Sequence, residues 1–185
     1  MQLRRFCLFL GLLGATASAG AQTQSLDPDM LAKANGGNAA AQIAVGESYA
    51  AGTGVVRDCK VAGEWFAKAA QNGNVAGELR LAAFYRDGAK GCPRDMAQAA
   101  QWYRKAAEQG DVTAQGILGV LYSYGQGVKQ DYVEAYFWLD LAAALSGPEQ
   151  AHYAANRQMV GTHLTTDDLE NLQERLAKWK AAHPR

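Results

Sequence analysis

One helical pattern occurs three times in this chain, and its spacing limits the fold more than any other feature. Tyr49, Tyr85 and Tyr122 hold the same place in the three copies, at intervals of 36 and 37 residues. A fixed period of this length is typical of stacked helix-pair units, which bury their apolar faces against neighbouring units. The chain is therefore predicted to form an open array of repeats rather than a closed globule.

Each copy contains two amphipathic helices. In the second helix, small and aromatic residues recur at i, i+3, i+4, i+7 and i+8, which is the spacing of one helical face. In the first helix, Gly46, Ala82 and Gly119 share one position, where we expect a neighbouring helix to approach closely. No segment has the period of a strand, so the predicted class is all-α. The second-helix stripes are Ala62, Trp65, Phe66, Ala69 and Ala70; Ala99, Trp102, Tyr103, Ala106 and Ala107; and Ala135, Trp138, Leu139, Ala142 and Ala143.

Glycine followed by a capping side chain marks the helix ends in every copy. Glycine adopts the left-handed backbone that ends a helix, and Asp or Asn accepts hydrogen bonds from the first amides of the next helix. These signals divide the array into repeats at 38–73, 74–110 and 111–147, with Gly147-Pro148 as the last boundary. The predicted caps are Asn38, Asn74 and Asp111 between repeats and Asp58, Asp95 and Asp131 within them.

The segments on either side of the array are predicted to be helical too. Residues 22–37 form a short lead and a helix that begins near Pro28. The second helix of repeat three is apolar on all sides, so it needs cover on more than one face. Residues 148–185 supply two helices, from about Glu149 to Val160 and from about Thr165 to Ala182, which we expect to cap the stack.

The first 21 residues have the pattern of a secretory signal peptide. Arg4 and Arg5 precede a short apolar run, and small residues follow, so cleavage after Ala19 or after Ala21 fits equally well. The remaining chain has sixteen basic and eighteen acidic residues, a formal charge of −2. This balance provides no attraction to nucleic acid, and no later stretch predicts a membrane span. The predicted location is periplasmic or secreted.

The repeated residues resemble those of the Sel-one-like repeat (SLR) family, relatives of the tetratricopeptide repeats. Repeat two carries the family's Ala-x-x-Trp-Tyr-x-Lys-Ala-Ala as 99–107, and repeat three carries Gly-x-Gly-Val as 125–128. The chain departs from the pattern at 88–91, which has one extra residue, and at Asp140-Leu141, where basic residues are usual. The resemblance implies a right-handed α/α solenoid of three helix pairs with a helical C-terminal cap.

The two cysteines outside the signal segment are candidates for a disulfide. Cys59 follows the cap of a second helix, and Cys92 lies in the loop with the extra residue. An even number of cysteines in an oxidising compartment indicates pairing, and loops of adjacent repeats stack. We predict a Cys59–Cys92 bond; the alternative is two unpaired thiols.

The sequence lacks the motifs of catalysis and of cofactor or metal binding. None of the three histidines has a second ligand at metal spacing, and the Gly-x-Gly segments lack the other residues of a nucleotide loop. Ser-x-x-Lys, Lys-Thr-Gly and Gly-x-Ser-x-Gly do not occur. We therefore predict no enzyme, no catalytic residue, no cofactor and no metal.

The predicted function is that of an exported adaptor that binds a protein or peptide partner. The resemblance implies a concave surface lined by the first helices, whose variable positions are where specificity is expected. The alternative is a cell-envelope enzyme or a protein that binds peptidoglycan or β-lactams, since the resemblance includes secreted relatives linked to β-lactam binding or hydrolysis. The oligomeric state stays open. The candidate binding residues are Gln42, Glu47, Glu78, Arg80, Arg86, Gln115 and Tyr124.

Overall fold

The protein is an α-solenoid. A computed structural model describes residues 25–144 and 149–184, and within these ranges it contains helices and no strand. The signal segment and Gly147-Pro148 lie outside the described residues. Short 3₁₀ helices follow α3 and α4, at Gln71–Gly73 and Ala89–Gly91. The α-helices are α1 Pro28–Asn35, α2 Ala39–Ala51, α3 Cys59–Ala69, α4 Val75–Asp87, α5 Met96–Glu108, α6 Val112–Tyr124, α7 Tyr132–Ala143, α8 Gln150–Gly161 and α9 Thr166–Ala182.

The six predicted N-caps are confirmed, and backbone hydrogen bonds explain why those within the repeats recur. The Asp that caps each second helix also donates its own N–H to the carbonyl of the repeated tyrosine, as Asp95 does to Tyr85 at 2.8 Å. Between these two residues the first helix ends at a left-handed glycine. Tyrosine, glycine and aspartate therefore recur together because they close one turn. The six predicted caps Asn38, Asp58, Asn74, Asp95, Asp111 and Asp131 all accept amide hydrogen bonds.

The shared small position of the first helices allows the close approach that the sequence predicts. A Cβ atom on Gly46 would lie 2.8 Å from the Phe66 ring, and one on Gly119 would lie 2.7 Å from Leu139 Cγ. Ala82, the equivalent residue of repeat two, is fully buried. The first and second helices of a repeat are thus packed at a distance that admits no larger side chain here.

The C-terminal helices cover α7, as its apolar sequence predicts. Trp179 of α9 packs edge-on against both Phe137 and Trp138. The unusual Asp140 pairs with Arg157 of α8 at 2.6 Å and with Lys180 of α9 at 3.3 Å. The departure from the family pattern at this position therefore provides ionic contacts to both helices of the cap, in addition to the pair of Arg175 in α9 with Glu134 in α7.

Candidate functional site

The candidate site is a pocket of about 270 Å³ between α2 and α4, the first helices of repeats one and two. Alanines and two aromatic rings form its floor, and charged side chains stand at its rim. The Phe66 and Phe84 rings are buried and have their centroids 5.3 Å apart. The apolar lining comprises Ala50, Ala51, Phe66, Ala83, Phe84 and Ala89, and the charged lining comprises Glu47, Arg80 and Asp87.

A small side chain lines the pocket where the next repeat has a long one. Ala50 follows the repeated tyrosine of repeat one, and Arg86 follows that of repeat two. The Arg86 guanidinium lies 5.8 Å from the centroid of the Tyr103 ring, which is the counterpart of Phe66. At the next junction a long side chain therefore lies over the aromatic floor, whereas Ala50 leaves that floor open between α2 and α4.

The loop with the extra residue forms one wall of the pocket. Its 3₁₀ helix packs against α2, and Ala89 contributes to the lining. A disulfide joins Cys59 to Cys92 directly after this helix, with the two Cα atoms 5.5 Å apart. The structure thus contains the predicted bond, and it ties the loop of repeat two to the start of α3.

Two ion pairs neutralise the rim. Arg80 reaches Glu47 at 3.1 Å, and both side chains are about half exposed, at 58% and 48%. Arg86 donates two hydrogen bonds to Asp87, at 2.7 and 3.0 Å. These hydrogen bonds lower the pKa of the Asp87 carboxyl and raise the pKa of Arg86. The two pairs therefore bring two acidic and two basic side chains together, which balance one another.

The predicted binding residues separate into surface and buried groups. Glu47 and Arg80 line the pocket, and Arg86 contacts its rim through Asp87. Tyr124, 58% exposed at the end of α6, is not part of the pocket lining. The sequence did not indicate the lining alanines and phenylalanines as site residues, because these residue types are expected in the core. The difference in size between Ala50 and Arg86, which occupy equivalent positions, was the available signal for the pocket.

The expectation that Gln42, Glu78 and Gln115 lie on the surface is wrong. Gln42 donates its side-chain amide to the Ala34 carbonyl, and Gln115 donates to the Ala107 carbonyl, in both cases eight residues back. Each acceptor lies near the end of the preceding helix, α1 or α5, and also accepts one backbone amide from the turn that follows, so the glutamine supplies its second hydrogen bond. A polar type at this position therefore indicates a buried junction between repeats, not a binding face. The three side chains are at most 7% exposed.

Glu78 is the exception within this buried set, because an ionised carboxylate cannot donate to a carbonyl. It accepts instead a hydrogen bond from Gln109 Nε2 at 2.8 Å. Burial raises the pKa of the Glu78 carboxyl; Lys105 and the Gln109 bond oppose the shift, and Glu108 adds to it. A raised folded-state pKa means that ionisation of Glu78 destabilises the fold, so its contribution to stability declines as pH rises.

We expect Glu78→Gln to raise the free energy of unfolding at neutral pH by about 1 kcal/mol, because the amide can donate to the Ala70 carbonyl as its counterparts do. The gain should be small near the ordinary Glu pKa of 4.5 and should grow as pH rises through the folded-state value. Urea unfolding at several pH values measures both effects. Gln115→Glu is the matched control and should destabilise; a Glu78→Gln protein without a pH-dependent gain would contradict the argument.

Metal and membrane sites receive no support from the described part of the chain. Within residues 25–144 and 149–184, no group of three His, Cys, Asp or Glu side chains is arranged to hold a metal ion. The helices of the same ranges lack the combined length and hydropathy of a membrane span. Two histidines serve in packing instead, since His163 stacks on Tyr132 and His183 stacks on Trp179.

Comparison with known proteins identifies the repeats. The family model for the Sel1 repeat matches residues 39–74, 75–111 and 112–146. A Sel1 repeat protein from Oxalobacter formigenes is 30% identical, with a TM-score of 0.57 and 70% of this chain and 95% of that one covered. A protective antigen with an SLR fold from uropathogenic Escherichia coli strains is 28% identical, with a TM-score of 0.56 over 82% of this chain. The match spans 40% of that antigen's structure. No match was found among the curated proteins.

Proposed function

Because this chain belongs to the Sel1 repeat family, whose members commonly mediate protein–protein interaction, we propose that it is an exported adaptor that binds a protein or peptide partner. The binding surface is the face formed by α2, α4 and α6, here called the first-helix face. The observation that carries the proposal is the pocket between α2 and α4, with its apolar floor and ion-paired rim. Repeat proteins use such extended surfaces for recognition.

The repeats differ on this face while their cores agree. Glu47, Ala83 and Val120 share one position, and Ala51, Asp87 and Tyr124 share another. Side chains that vary in size and charge among otherwise similar units give each repeat a different contact surface. An exposed Tyr and Arg are also residue types that often dominate binding energy.

Export is the second part of the proposal. It is supported by the signal-like residues 1–21 and by the Cys59–Cys92 disulfide, which is typical of an oxidising compartment. We propose that the repeats at 38–147 and the cap at 148–185 act together after the segment is removed.

Chemical cross-linking in envelope extract, followed by affinity capture and mass spectrometry, tests the adaptor function. The face variant combines Arg80→Glu with Tyr124→Ala, both at exposed positions. The matched control combines Lys60→Glu with Gln101→Ala at exposed positions of the second helices. We expect the face variant to recover at least about tenfold less of the captured partner, as loss of an anchor residue predicts. Equal recovery by the two variants would refute binding through this face.

A further inference from the structure

We infer that the pocket between α2 and α4 anchors one bulky apolar side chain of an extended partner segment, and that Glu47 and Arg80 bind the main-chain amide beside it. The inference rests on the proposed function, because it specifies what the first-helix face selects. It assigns the occupant by chemistry: an aromatic or long aliphatic residue within a polypeptide.

The size of the pocket favours a single side chain. Pockets for drug-sized molecules measure about 300–1,000 Å³, and this one, at about 270 Å³, lies just below that range. The two rings of its floor, Phe66 and Phe84, are buried and already ordered by the packing of α3 and α4. A side chain that enters the pocket therefore exchanges water for aromatic contact without rearrangement of the core.

The charges at the rim favour a neutral side chain over an ionic one. Glu47 and Arg80 neutralise each other, and Arg86 and Asp87 do the same. A charged ligand would have to compete with these pairs, whereas an uncharged group meets no net repulsion or attraction. This is the complementarity expected of an apolar anchor surrounded by a polar rim.

The Glu47–Arg80 pair also suits a peptide better than a free hydrocarbon. A guanidinium has five donor hydrogens and a carboxylate has about four acceptor positions, so one ion-pair contact leaves most of them available. Both side chains are about half exposed at the mouth of the pocket. A main-chain amide supplies one acceptor for Arg80 and one donor for Glu47, next to the buried side chain.

The irregular parts of repeat two fix the position of the anchor. Ala89 closes one wall from the loop that the disulfide holds. At the next junction along the face, Arg86 stands where Ala50 leaves the pocket open. The anchoring residue of the segment must therefore dock between repeats one and two, which sets the register of the whole segment.

A phage-displayed library of random peptides, selected on the full chain, tests the anchor. We expect the selected peptides to share one Phe, Trp, Leu or Met, and its replacement by Ala to weaken binding at least about tenfold in fluorescence anisotropy. Ala83→Leu, which fills the pocket from α4, should weaken the same peptides to a similar extent. Ala76→Leu makes the same change at an exposed position of α4 outside the pocket lining and should leave affinity unchanged.

Other results separate the anchor from the proposed function. Peptides that lose affinity for the Arg80→Glu, Tyr124→Ala variant but not for Ala83→Leu would overturn the anchor and leave the adaptor function standing. If affinity capture recovers a protein partner but the library yields no peptide, the anchor is overturned and the adaptor function stands. If neither the capture nor the library yields a binder, the anchor and the adaptor function are both overturned. Free indole that binds as tightly as the peptides would overturn the main-chain contact. A concentration-dependent dimer that Ala83→Leu abolishes would make a second copy the occupant and overturn the inference.

The pocket can also be filled from the opposite wall, in case Ala83→Leu disturbs folding. Ala51→Leu, on α2, is expected to weaken the peptides in the same way. Circular dichroism and thermal unfolding show whether each variant retains the fold. Two folded pocket-filling variants with unchanged peptide affinity would overturn the inference.

Discussion

Removal of the Cys59–Cys92 disulfide is expected to lower the free energy of unfolding by about 3–4 kcal/mol. The bond joins cysteines separated by 33 positions, so its loss restores considerable conformational freedom to the unfolded chain. Cys59→Ala with Cys92→Ala avoids a hydroxyl at Cys92, which is only 4% exposed. Urea unfolding of the oxidised wild type and the double variant measures the difference.

The matched control is reduction of the wild type. Reductant should lower its stability toward that of the double variant and should leave the double variant unchanged. The loop should respond locally as well, with faster hydrogen exchange at position 92, whose amide donates to the Ala89 carbonyl. Equal stability of the oxidised and reduced wild type would show that the bond does not constrain the chain as proposed.

The helix-pair stack could be predicted because its determinants are local and repeated. Each turn within a repeat needs the tyrosine carbonyl, a left-handed glycine and a capping aspartate, and all three lie within about ten residues of sequence. The C-terminal cap was predictable for a similar reason, since an all-apolar α7 requires cover. Its ion pairs were not, because Asp140 meets Arg157 and Lys180 only after α8 and α9 have packed.

The pocket was not predicted because it depends on differences between repeats rather than on their common pattern. Ala50 resembles any core alanine until Arg86 is placed at the equivalent position. The surface positions predicted for Gln42 and Gln115 were wrong because the common pattern does not show what a polar side chain contacts. Their polar type suggests solvent, but each amide donates a second hydrogen bond to a carbonyl at the end of the preceding helix, and this bond makes a buried amide favourable there. Pattern alone does not tell which polar side chains satisfy such carbonyls.

A similar difference between repeats predicts the effect of Gly77→Ala, which we expect to lower the free energy of unfolding by about 2 kcal/mol. Repeats one and three have Ala41 and Ala114 at this position. In repeat two, however, a Cβ atom would lie 2.3 Å from the carbonyl carbon and oxygen of Ala69. These are backbone atoms at the end of α3, so the two helices must separate to accept the methyl group, and the helix propensity of alanine offsets only part of the cost.

Gly63→Ala is the matched control for this substitution. Gly63 lies within α3, and a Cβ atom there would meet only the Phe84 ring, at the ordinary contact distance of 3.6 Å. The free energy of unfolding of this variant should rise by about 0.4–1 kcal/mol, because alanine reduces the conformational freedom of the unfolded chain and favours the helix. Chemical denaturation of both variants separates helix propensity from steric overlap. If Gly77→Ala raised the free energy of unfolding as much as Gly63→Ala does, α3 and α4 would have to pack less closely in solution than they do in the structure.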